Sequence, residues 1–106
     1  MEYELVRDDR LYNITFTIKE ADGTVVDLTD VATIKLYLAA VGGTTLKVDG
    51  ACVRSSPYTA GICTYTVQTS DMDTVGIYHA EVELTYSGGK ILTTERFDIR
   101  VVEDLP

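Results

Sequence analysis

GIYHAEVELTY, residues 76–86, alternates along its length: Tyr78, Ala80, Val82 and Leu84 fall on one side, His79, Glu81, Glu83 and Thr85 on the other. A period of two marks a strand with one buried face and one wet face. Downstream, SGGK closes a hairpin onto ILTTERFDIRVV, whose Phe97, Ile99 and Val101 supply a matching inner row. Just upstream, DMDTV adds Asp71 and Asp73, so two aspartates, the only histidine and a tyrosine lie within ten positions. Either this cluster binds something or it turns a corner.

The same rhythm recurs across the chain. LYNITFTIKE sets Ile14, Phe16 and Ile18 against Asn13, Thr15, Thr17 and Lys19, and predicts a first strand. Asp22 and Gly23 signal a turn, TVVDL reads as a short edge segment, and Thr29 and Asp30 break it. ATIKLYLAA places Ile34, Leu36 and Leu38 inward, with Gly42 and Gly43 at its exit. TTLKV, an Asp49-Gly50 turn and ACVRSS follow; a loop over 57–61 then leads into ICTYTV, where Cys63, Tyr65 and Val67 share a face. Seven or eight strands at spacings near ten residues, with acute turns and no long amphipathic helix, predict an all-β domain. The specific expectation is an immunoglobulin-like antiparallel β-sandwich, with a small barrel as the competitor.

Composition agrees. The 106 residues suit one domain, residues 11–103, preceded over 1–10 by an extended arm with Tyr3, Leu5 and Val6 alternating in extended register, or by a frayed terminus. Fifteen Thr, twelve Val, seven Ile and seven Tyr favour pleated strands. A net charge of −8, from 17 acids spread among 9 bases, repels phosphate backbones and anionic lipid, so neither nucleic acid nor membrane is an expected partner. No stretch approaches a membrane span, and the first ten residues lack the basic start and apolar core of a signal peptide. A chain made and kept in a cytoplasm implies free thiols at Cys52 and Cys63, although a hairpin facing the two together would allow a bridge.

Chemistry is harder to assemble. Asp71 and Asp73, joined by Asp27 and Asp30, offer oxygens for Ca²⁺, yet the glycine and closing glutamate of a calcium loop are missing. Zinc would need a fourth ligand beyond Cys52, Cys63 and His79. No glycine-rich oxyanion turn accompanies either cysteine; Glu81 and Glu83 read as solvated strand acids, and the GG pairs at 42 and 88 as hairpin turns. His79 reads as a solvated histidine. Catalytic, cofactor-binding and metal residues are therefore all assigned as none, and the chain is not read as an enzyme. The architectural reading is simpler. In immunoglobulin-like sandwiches a tyrosine at the start of strand F bonds back to backbone just upstream, and Tyr78 with Ala80 fits that place.

Taken together, NITFTIKEADGTVVDLTDVATIKLYL, TAGICTYTV, DTVGIYHAEVELTYSGGKI and FDIRVV resemble the N-terminal domain of phage baseplate upper proteins from about Leu11 to Val102. The matching residues are Asp22, Gly23, Asp27, Leu28, Thr29, Gly61, Tyr65, Gly76, Tyr78, Ala80, Tyr86 and Gly89. The resemblance implies a non-enzymatic virion protein, made in the host bacterial cytoplasm, that attaches to other phage structural proteins of tail, baseplate or capsid in symmetric copies. Baseplate upper proteins usually carry further domains, whereas this sequence ends at Pro106. A small capsid decoration protein, or another head or neck accessory, is the alternative implied. A carbohydrate- or calcium-binding sandwich is a second.

Overall fold

The alternating segments become strands with the expected faces inward. In a computed structural model that describes residues 2–20, 22–94 and 96–103, the chain runs β1 (Glu2–Val6), β2 (Asn13–Thr17), β3 (Val31–Ala40), β4 (Leu46–Arg54), a single 3₁₀ turn (Tyr58–Ala60), β5 (Ile62–Thr66), β6 (Gly76–Tyr86), β7 (Ile91–Thr93) and β8 (Phe97–Val102). Along β6 the inward residues Tyr78, Ala80, Val82 and Leu84 are buried. So are Ile14 and Phe16 of β2, Ile34, Leu36 and Leu38 of β3, Cys63 and Tyr65 of β5, and Phe97, Ile99 and Val101 of β8. Among the described residues no helix is long and apolar enough to cross a membrane.

These strands make one sheet in the order β1-β8-β6-β3-β4-β5-β2, with β7 continuing beyond β8 on the same flank of β6. All neighbours are antiparallel except β1, which lies parallel to β8 with Tyr3 opposite Ile99 and Leu5 opposite Val101. Strongly twisted sheets of many strands curl to bury their apolar face, and this one curls into a half-barrel. Three aromatic rings show how far the curl goes. Phe16, from the β2 end of the strand order, lies 5.4 Å from Tyr3 and 5.5 Å from Phe97, which belong to the β1-β8 end. Tyr3 and Phe97 are 5.9 Å apart, and tilted or edge-on geometry suits the ring quadrupoles.

Two expectations need correction. Asp49 and Gly50 do not turn the chain: β4 runs unbroken through both, pairing Tyr37 with Asp49 and Leu36 with Gly50. Gly50 is there because Tyr65 lies on it. A Cβ at that position would stand 2.2 Å from Tyr65 Cε1, so the glycine marks a close approach within a strand. TVVDL is not a strand segment; Lys19 and Val25 form one isolated bridge, and Val26 and Leu28 turn inward as plugs. The extended residues of the expected arm form β1, with Tyr3 and Leu5 packed on the core, and Met1 lies outside the described residues.

Candidate interaction surface

The acidic cluster that opened the question is consumed by the fold. Tyr78 donates its hydroxyl to the Thr74 carbonyl at 2.7 Å and pins the entry to β6, which is the expected corner. Asp71 accepts the Tyr65 hydroxyl and, at 2.8 Å, the Gln68 backbone N–H, closing the loop after β5. Tyr65 is correspondingly raised above the ordinary phenol range, by burial first and the Asp71 hydrogen bond second. Met72, between the two aspartates, is buried. Asp73 accepts from Lys47 and Thr74, and the Lys47 hydrogen bond leads the causes that hold its carboxyl below the usual range.

Loop acids elsewhere are engaged in the same way. Asp27 accepts the Thr29 backbone N–H at 2.9 Å and the Thr29 hydroxyl at 2.5 Å, and those bonds lower its carboxyl. It does not join Asp71 and Asp73 in any ligand group: among the described residues, no three His, Cys, Asp or Glu side chains converge as a metal ion would require. Asp30 acts through its carbonyl, which accepts Ser87 N–H at 3.0 Å. On the outer face His79 Nδ1 lies 2.9 Å from Asp98, Glu81 pairs with Arg96 at 3.6 Å, and Glu83 accepts from Tyr37 at 3.4 Å. Cys52, half-buried on β4, and Cys63, buried on β5, are free thiols.

Arg54 is the structural residue that pattern reading misses. Its guanidinium donates to the carbonyls of Leu28, Thr29 and Val31 at 2.7–2.9 Å and lies 4.0 Å from the centre of the Tyr58 ring. All three contacts come from Nη1, whose two N–H groups are shared among the carbonyls, so one side chain anchors the 28–31 crossing to β4. Nothing in the spacing of ACVRSS marks Arg54 for that task, because its three acceptors are backbone atoms some 25 residues away.

What the fold leaves open is an edge. Ile18 N–H bonds to Gly61 O at 2.7 Å, continuing the β2-β5 ladder in which Thr17 stands opposite Ile62. In an antiparallel ladder alternate residues bond the neighbour, so the backbone groups of Thr15 and Thr17 face away from β5. They border a groove of about 530 Å³ between β2 and the β7-β8 side. Its floor includes Tyr3, Phe16, Val82 and Phe97, and Lys19 and Arg96 stand on its walls. A surface of this kind offers an extended segment hydrogen bonds along one side and apolar contact beneath.

A family model described as the BppU N-terminal domain matches residues 5–105. No curated protein matches the chain. Six solved chains match, among them "The crystal structure of CopC from Methylosinus trichosporium OB3b". That alignment is 11% identical, covers 99% of this chain and 87% of the other, and has a TM-score of 0.59. At such identity the likeness is one of fold alone. The family match spans the alternating strands, the tyrosine corner and the loop acids alike: the chain belongs to the BppU N-terminal domain family, a family of phage baseplate upper proteins.

Proposed function

We propose that this chain is a non-enzymatic structural module of the phage particle that attaches virion proteins to one another at the baseplate, in symmetric copies. The observation that carries the reading is the family match over residues 5–105. Two features of the molecule support attachment as the task. The carboxylates of Asp27, Asp71 and Asp73 are held by internal partners, and the β2 edge is left with outward-facing backbone groups beside a groove that Phe16, Val82 and Phe97 help to line. A net charge of −8 favours protein over phosphate backbones or anionic lipid as the partner. Multiple copies around a symmetric particle convert weak single contacts into durable attachment through effective concentration.

On this reading β1 (Glu2–Val6) serves the domain as the end strand beside β8, and no residue is assigned to catalysis, a cofactor or a metal. The corner at Tyr78, and β4 passing from one half of the curled sheet to the other, support an immunoglobulin-like form of the fold. The test is direct. Gradient-purified virions, cross-linked and analysed by mass spectrometry, should contain this chain joined to other structural proteins. Intact, infectious particles without it would overturn the proposal.

A further inference from the structure

β2 ends the strand order, and the groove beside it is where a further strand would lie. Thr15 and Thr17 turn their backbone groups toward that groove. Lys19 does the same. It stands opposite Val25 between two bonds, Val26 N–H to Ile18 O and Glu20 N–H to Thr24 O, so its own N–H and C=O lie on the other side of the strand. Edge strands are ordinarily guarded by a charge, a proline or a bulge, yet the run NITFTI over 13–18 has none of these. The groove floor beside it includes Phe16, Val82 and Phe97, and Phe97 keeps 8% of its surface, more than any other buried apolar residue described. Lys19, Glu20 and Arg96 are the charged residues that line the groove. Arg96 is shared with Glu81 at 3.6 Å, whereas Lys19 has no ion pair among the described residues. On a chain of net charge −8, this groove therefore carries a local excess of positive charge.

We propose that the groove takes an extended segment of another virion protein, added as a strand along β2, with apolar residues at alternate positions and a carboxylate at Lys19. The inference rests on the attachment reading above and names the contact through which attachment is made. Backbone bonds to Thr15, Thr17 and Lys19 set the register of the segment. Its alternate apolar side chains cover Phe16 and Phe97, and its acid meets the unpaired ammonium. The β2 edge of a second copy does not suit the groove. Its Ile14 and Phe16 are buried in its own core, at 5% and 1% exposure, so it has no apolar side chain to lay on the floor. Two copies also repel, each with a charge of −8. The occupant is therefore a tail or long loop that belongs to no sheet of its own before it docks.

The test compares purified virions with the isolated full chain. Residue-resolved hydrogen exchange should show the amides of Thr15, Thr17 and Lys19 slowed at least about tenfold in the particle, while that of Ile18, already bonded to Gly61, changes least. A zero-length carbodiimide cross-linker should join Lys19 to an Asp or Glu of a different virion protein, within a stretch of alternating apolar residues. Lys19→Glu should lower incorporation into particles by about three- to tenfold with the thermal midpoint of the isolated chain unchanged, and Lys19→Arg should retain it. If the chain is in the particle but those three amides still exchange fast, or Lys19 is joined only to a second copy or to nothing, this inference is overturned and the attachment reading stands. Infectious particles without the chain would overturn both.

Discussion

Tyr78 joins two stretches of chain through one hydroxyl. Its ring is buried in the core while its oxygen reaches the Thr74 carbonyl, so Tyr78→Phe keeps the packing and orphans that acceptor. A loss of about 1–2 kcal/mol is expected in urea unfolding, the scale of one part-buried hydrogen bond. Asp73 acts through charge. Its carboxyl lies below the ordinary aspartate range, chiefly through the Lys47 hydrogen bond, so it favours the folded state above that range and stops doing so as pH falls through the lower folded pKa. The parent should therefore lose stability below about pH 4, and the gap between it and Asp73→Asn should close over the same interval, as read from denaturation midpoints against pH. The pair is exposed, so the gap is small at neutral pH. The tyrosine corner was legible in the sequence because donor and acceptor lie four residues apart. The Asp73 partner was not, since Lys47 lies on β4, 26 residues away along the chain.

At the scale of an element, β4 and β2 carry the predictions. Asp49-Gly50 is a strong local turn signal that divides β4 into two strands on the sequence alone, and tertiary packing overrides it. Gly50 lies beneath the Tyr65 ring. Gly50→Ala should cost about 1–3 kcal/mol by overpacking, while Gly88→Ala, where nothing lies within 4 Å, should stay within about 0.5 kcal/mol in the same assay. Gly61, with φ +69° and a would-be Cβ 2.8 Å from the Val26 carbonyl, likewise meets its neighbours only in the folded chain. β2 is one end of the strand order and is an open edge. Proline belongs in a strand only where the lost N–H is not part of the ladder, and Thr17 meets that condition. Thr17→Pro should leave the domain folded and abolish assembly onto the particle if a partner adds a strand there. Thr17→Val, which keeps the N–H, should assemble normally. Equal assembly by both variants, in a particle-binding assay, would remove strand addition at β2 as the mode of attachment.

Across the whole molecule, the curl of the sheet depends on a few large side chains from opposite ends of the strand order. Phe16→Ala deletes the ring that touches both Tyr3 and Phe97, and should cost about 3–5 kcal/mol in urea unfolding, enough to leave a domain of this class marginal. A loss under about 1 kcal/mol would show that the two ends close without it. By itself the sequence determined that this is an all-β chain and which face of β2, β3, β5, β6 and β8 is buried, because side-chain alternation is a local property of the pleat. The family resemblance was also legible there, carried by corner and turn residues close together along the chain. Strand order, the parallel placement of β1, the continuity of β4, the three carbonyls on Arg54 and the groove beside β2 were decided only by the tertiary structure. The physical reason is that strands recognise one another largely through backbone N–H and C=O groups, which are nearly the same in every residue. Alternation can therefore say which way a strand faces, while the packing of the whole core selects its neighbour.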